Sequence, residues 1–104
     1  MASALQVVHD SVRHRFFVNL SATAQAFLEY RYLGTNLIDF YHTFVPPEGR
    51  GTGVAAKLCD EAFAFARSTN AKVKPSCSYV SQTYLPKHPE LRNFIVDDVK
   101  DLVY

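Results

Sequence analysis

Cysteine is scarce in this chain of 104 residues, with 2 in all, Cys59 and Cys77. Neither forms a CxxC pair or joins a His/Cys group with metal-ligand spacing, which argues against a disulfide scaffold and a zinc module. No metal is expected, and a reduced intracellular protein of the cytoplasm or nucleus is the natural reading. An excess of one charge sign is missing too: 11 Lys and Arg stand against 10 Asp and Glu. A broad electrostatic footprint for nucleic acid or an acidic membrane is thereby disfavoured, and any anion site must be local. Long apolar runs are absent, since none approaches the ~20 residues that span a bilayer. Residues 1–8 lack a basic region ahead of an apolar stretch, and Asp101-Leu102-Val103-Tyr104 is neither a prenylation box nor a peroxisomal address.

What the chain does contain is ordinary for a folded protein. Apolar residues make up 48% and charged ones 20%, and 8 Phe with 6 Tyr supply bulk for a core and a pocket. The length suits one compact domain over residues 1–104, expected as a monomer.

Leu5 to His9 and Arg15 to Leu20 are β-branched and aromatic runs around the polar Asp10-Ser11, which predicts a hairpin. Ala24 to Leu33 alternates, with Phe27, Glu29 and Arg31 on one side and Leu28, Tyr30 and Tyr32 on the other. Gly34-Thr35-Asn36 then turns the chain into a strand from Leu37 to Val45. Pro46-Pro47 ends that pairing, because neither residue has a ladder donor. From Val54 to Thr69, apolar Val54, Leu58, Ala62, Phe65 and Ala66 recur at helical spacing, and Asn70 suits the position after the helix. Ala71 to Tyr79 alternates again, but Pro75 predicts a partly unpaired strand. A short helix capped by Ser78 or Ser81 is expected to run through Tyr84 and stop at Pro86. The fold class is therefore α+β, a mixed and mostly antiparallel sheet with one long helix and a short helix near the end.

Glycine is sparse as well, yet 3 of the 4 glycines, Gly49, Gly51 and Gly53, fall between the Leu37–Val45 strand and the long helix. Residues without Cβ can take positive φ and let backbone N–H groups converge on a ligand. A helix N-terminus adds unpaired N–H groups and partial positive charge. The turn is therefore read as a phosphate cradle, with Arg50 and Lys57 at hand. A Walker loop would need Gly-Lys-Ser/Thr where Gly53-Val54-Ala55 stands. A dinucleotide fingerprint would need glycine at position 54 or 56, which hold Val54 and Ala56.

Arg50-Gly51-Thr52-Gly53-Val54-Ala55 resembles the Arg/Gln-x-x-Gly-x-Gly/Ala signature of the GNAT superfamily of acyl-CoA-dependent N-acetyltransferases. Over most of its length the chain looks like the minimal, single-domain branch, which includes small plant acetyltransferases. The resemblance implies acetyl transfer from acetyl-CoA to a primary amine, whether a protein lysine or N-terminus, as on a histone, or a small molecule. A coenzyme A-binding module without turnover is the alternative. It also implies strands splayed around the cofactor, with Phe44 and Val45 holding the pantetheine arm by their backbone. Gly49, Arg50, Gly51, Thr52, Gly53, Val54 and Ala55 would receive the pyrophosphate.

Acyl transfer to an amine needs a base, an oxyanion site and a proton for the leaving thiolate. His42 is the candidate base, or else a hydrogen-bonded sheet-surface residue. Cys77, by the resemblance close to the thioester, is a candidate nucleophile or base, or a small buried hydrophobe. Tyr84 is the candidate acid, with Tyr79 as its competitor. The Glu base of many relatives has no clear equivalent on Leu37 to Val45, where Asp39 is the acidic residue and Glu29 lies on the neighbouring strand.

Overall fold

The structure is a computed structural model and describes residues 5–96. Alternation and helical periodicity become a five-stranded sheet with one long helix across it. The strands are β1 (Val8–Asp10), β2 (Arg15–Asn19), β3 (Gln25–Gly34), β4 (Leu37–Phe44) and β5 (Lys72–Lys74), in the spatial order β1-β2-β3-β4-β5. The first four pair antiparallel, whereas β5 pairs parallel to β4 because helix α1 (Val54–Ser68) carries the chain back between them.

Period-two patterning decides which face of the sheet α1 covers. Phe16 and Val18 of β2 and Ala26, Leu28 and Tyr30 of β3 are buried, as are Ile38 and Phe40 of β4. Against them α1 turns Val54, Leu58, Cys59, Ala62, Phe63 and Ala66, with Phe63 edge-on to Phe40 at 5.1 Å between ring centres. Full burial of a side chain such as Leu58 or Phe40 contributes roughly 1.5–3 kcal/mol, so this layer is the main source of stability. The last turn of α1 closes as a Schellman motif. Asn70 takes φ 61, its N–H donates to Arg67 O, and the Ala71 N–H donates to Ala66 O.

The opposite face carries ordered rows. Phe17, Phe27 and Phe44 are cross-strand neighbours in one row, and Arg15, Glu29 and His42 in the next, where Arg15 pairs with Glu29 at 2.8 Å.

Several local expectations shift. The first strand is shorter than Leu5 to His9. Its turn spans Ser11 to His14, because Asp10 Oδ1 accepts the N–H groups of Val12 and Arg13 and His14 adopts φ 56. The strand expected from Ala71 to Tyr79 pairs only over Lys72–Lys74, since Pro75 supplies no donor. The short helix is a π-helical turn at Tyr79–Tyr84, and no side-chain bond from Ser78 caps it. Ser81 instead donates from its hydroxyl to Cys77 O at 3.2 Å. Pro86 does not stop the chain's coiling but sits in the 3₁₀ turn Leu85–Lys87, at a first-turn position where no N–H is required. A further 3₁₀ segment, Pro89–Phe94, leads to Ile95, which bridges parallel to Val73 and extends the sheet edge.

Candidate active site

The site begins where β4 loses a neighbour. Leu37, Ile38 and Asp39 pair with Lys72, Val73 and Lys74, and then Pro75 interrupts the ladder. One further bond, from the Cys77 N–H to Phe40 O at 2.9 Å, ends the contact. Past it His42, Thr43 and Phe44 pair with Glu29, Leu28 and Phe27 of β3, and no strand pairs with them on the β5 side among the described residues. A bulge marks the transition: the register passes from Tyr30 opposite Phe40 to Glu29 opposite His42, leaving Tyr41 as the extra residue. The two strands part at that point, leaving one edge of β4 open.

The glycine turn lies at the mouth of this opening. Pro47–Gly49 forms a 3₁₀ turn, closed by bonds from Gly49 N–H to Pro46 O and from Arg50 N–H to Pro47 O. Gly51 and Gly53 both adopt φ 80, where an L side chain is strained, and a Cβ on either would meet nothing within 4 Å. Their glycine character is conformational. Gly49 differs: a Cβ there would sit 2.8 Å from Leu20 Cδ1 and 3.0 Å from Val45 Cγ1, so a side chain at this position would make its neighbours shift. Thr52 returns its hydroxyl to Gly49 O and so fixes the loop's shape.

Gly53 is the N-cap of α1 and offers no side-chain bond to the first turn. The leading N–H groups of the helix are thus left for an anionic ligand. They open on a groove of about 240 Å³ lined by Val45, Gly49, Arg50, Gly51, Gly53, Val54, Ala55, Ala56 and Tyr79. Of the residues expected to hold the cofactor, Phe44 and Thr52 are not in this lining. Phe44 is exposed at the end of β4 and Thr52 braces the loop. A left-handed glycine cradle with an uncapped helix behind it fits a pyrophosphate group.

The expected catalytic side chains fall in three places. His42 is exposed on the open half of β4, with its ring 5.7 Å from that of Phe27. Cys77 stands in the bend after β5 and is almost buried, its Sγ donating to Thr43 Oγ1 at 3.3 Å. Those two flank the parting of the strands. Tyr84 does not line the glycine groove; it is buried between Phe63 and His88, and its hydroxyl donates to Asp60 Oδ1 at 2.6 Å. Burial and that bond push its hydroxyl far above the usual tyrosine range. Tyr79 is the tyrosine that faces the groove, and burial also raises its hydroxyl. Tyr79 opens the π-helical turn and borders the groove, whereas Tyr84 closes it and stacks on Phe63 of α1. Cys59 is fully buried on α1, and burial pushes its thiol well up.

Two residues that bond to the expected catalytic side chains carry no signal in the sequence. Thr43 is one more residue of a β-run, and Asp60 is one of several charged residues in a helical stretch. Nothing in their spacing distinguishes them.

A family profile described as GCN5-related N-acetyl-transferase matches residues 15–94, a stretch that contains β2 to β5, the glycine turn and the parting strands. The chain belongs to that acetyltransferase family. Among curated proteins, Protein NATD1 of Gallus gallus is 36% identical over 86 residues, covering 82% of this chain and 77% of the relative. Protein NATD1 of Homo sapiens is 35% identical over 86 residues, 82% of this chain and 75% of the relative. The NMR solution structure of a GCN5-like protein from Staphylococcus aureus superposes with a TM-score of 0.70 at 28% identity, covering 91% of each chain. The acetyltransferase fold is thus shown by both sequence and structure. In this member of the family no group of His, Cys, Asp and Glu suited to a metal occurs among the described residues, and no described helix is long and apolar enough to cross a membrane.

Proposed function

We propose that this acetyltransferase moves an acetyl group from acetyl-CoA to a primary amine. The observation that carries the reading is the juxtaposition of a one-sided strand with a left-handed glycine cradle: β4 past Phe40 lacks a β5 partner and runs directly into Gly49–Gly53. Backbone groups of Phe44 and Val45 supply the missing ladder to a pantetheine arm, while Gly51, Gly53 and the first N–H groups of α1 take the pyrophosphate. Arg50, exposed beside the cradle, adds a cation. Bound there, the cofactor supplies an activated thioester.

The protein's own groups then serve the amine and the departing thiol. His42, exposed beside the open edge, accepts the proton that the amine nitrogen loses as the C–N bond forms. Tyr79, kept protonated by burial, gives its proton to the sulfur as the C–S bond breaks. In this arrangement Tyr79 takes the acid's part, and Tyr84 holds the π-helical turn to α1 through Asp60. Cys77 faces the parting from the other lip, where its sulfur, its proton lost, takes the acetyl carbon as the C–S bond to the cofactor breaks and is released again when the amine nitrogen forms its C–N bond.

Thermal denaturation with and without CoA tests the binding half. Ligand at ~100 times Kd adds about 2.7 kcal/mol, which raises Tm by roughly ten degrees in a domain of this size. No shift at millimolar CoA contradicts the reading. Incubation with acetyl-CoA and lysine-bearing peptides or small polyamines, followed by mass spectrometry, tests turnover. A Tm shift without any acetylated acceptor would leave a cofactor-binding module and refute the enzyme.

A further inference from the structure

We infer that Thr43 is a positioning residue that orients the Cys77 sulfur and stabilises its ionised form; this rests on the reading of Cys77 as a catalytic group. Thr43 lies on the open half of β4 between His42 and Phe44, and its hydroxyl meets Cys77 Sγ at 3.3 Å across the parting of the strands. The contact thus joins the two lips of the site through side chains.

The backbone of Cys77 is already fixed. Its N–H donates to Phe40 O at 2.9 Å, and its carbonyl accepts the Ser81 N–H at 3.0 Å and the Ser81 hydroxyl at 3.2 Å. What those bonds leave undetermined is the direction of the sulfur, and Thr43 determines it. A threonine hydroxyl both accepts and donates. While the thiol is protonated, the S–H donates to Thr43 Oγ1. Once it ionises, the hydroxyl turns to donate to the thiolate, a charge-assisted bond stronger than the neutral one. Thr43 therefore serves Cys77 in either protonation state.

The titratable groups around this sulfur leave that bond prominent. Cys59 on α1 and Tyr79 in the π-helical turn both sense Cys77, and burial keeps both protonated and neutral. Asp60 on α1 is felt by both of them and is bound to Tyr84. Cys59 is the internal contrast, a fully buried thiol with no side-chain hydrogen bond among the described residues.

The test is alkylation of Cys77 by iodoacetamide between pH 6 and 10, resolved from Cys59 by peptide mass spectrometry, in wild type, Thr43→Val and Thr43→Ser. Losing a hydrogen bond to a charged group should move the Thr43→Val midpoint up by about one pH unit and slow alkylation near neutrality roughly tenfold. Thr43→Ser, which keeps the hydroxyl, should retain the wild-type profile. A Thr43→Val profile superposed on wild type overturns the inference, and so does a Thr43→Ser profile that follows Thr43→Val. The parent reading fails separately: a wild-type acetyl-transfer rate in Cys77→Ala removes Cys77 from the chemistry and the positioning role with it, whatever the alkylation profiles show.

Discussion

The two halves of β4 are one strand with two environments. Leu37, Ile38, Asp39 and Phe40 are all buried and paired with β3 on one edge, the first three also pair with β5 on the other, and Asp39 is held by Arg31 at 3.1 Å. Tyr41, His42 and Phe44 are exposed, and pairing on the open half comes from β3 alone. The same backbone builds core in its first half and offers unpaired edge in its second. Pro75 just after β5 and the bulge at Tyr41 set the boundary between them. Stability should therefore reside in the closed half and chemistry in the open one.

The largest effect that would break this division is expected in the closed half. Phe40→Ala should cost about 3–5 kcal/mol in chemical denaturation, because Phe40 is fully buried against Phe63. Phe44→Ala, at an exposed site, should stay within about 0.5 kcal/mol. Equal losses at both positions would show that the open half is core after all. On the open half, His42→Ala should lower kcat by roughly 10²-fold or more through loss of the base, with the denaturation midpoint almost unchanged. Steady-state kinetics beside a urea curve checks this, and an unimpaired kcat moves the base elsewhere.

A smaller effect is expected at the cradle. Gly53→Ala forces a Cβ into the left-handed region at roughly 1–2 kcal/mol, without any steric clash. The variant should bind CoA more weakly by isothermal titration while Tm falls by several degrees. Retention of wild-type affinity would mean that the loop's conformation is not what holds the ligand.

The smallest effect lies far from the parting. His9 stacks on Phe16 at 4.1 Å and shares a 2.6 Å hydrogen bond with Tyr30, whose hydroxyl burial pushes up to about 12. Burial lowers the His9 pKa below 6.5, with Asp10 pulling it up and His14 pushing it down. A lowered folded-state value means that the unfolded chain binds the extra proton. His9 thus contributes stability above pH 6.5, and that contribution is lost as pH falls below it. Tm should decline between pH 7.5 and 5.5, more in wild type than in His9→Gln. Parallel profiles would remove His9 from the pH dependence.

Much of this division could be read in the residues. Alternation in Ala24 to Leu33, the apolar spacing of α1 and Asn70 after it predicted elements that the structure contains, because each reports on one local face. The glycine cluster and Pro75 pointed to the turn and to the parting for the same reason, since backbone restrictions are local. What depends on three dimensions stayed hidden. Which of Tyr79 and Tyr84 borders the groove depends on how this turn docks on α1, which no spacing in the sequence reports. Thr43 gains its meaning from Cys77, a residue distant in sequence. Asp60 likewise gains its meaning from Tyr84.

The most direct test of the central claim is a titration of ¹⁵N-labelled protein with CoA, followed by backbone amide chemical shifts. The amides of Tyr41 to Val45, Gly49 to Ala56 and Tyr79 should move together and saturate with one affinity, while those of Leu37 to Asp39 stay in place. Shifts absent from the glycine turn, or centred on Asp60, Tyr84 and His88 instead, would contradict it.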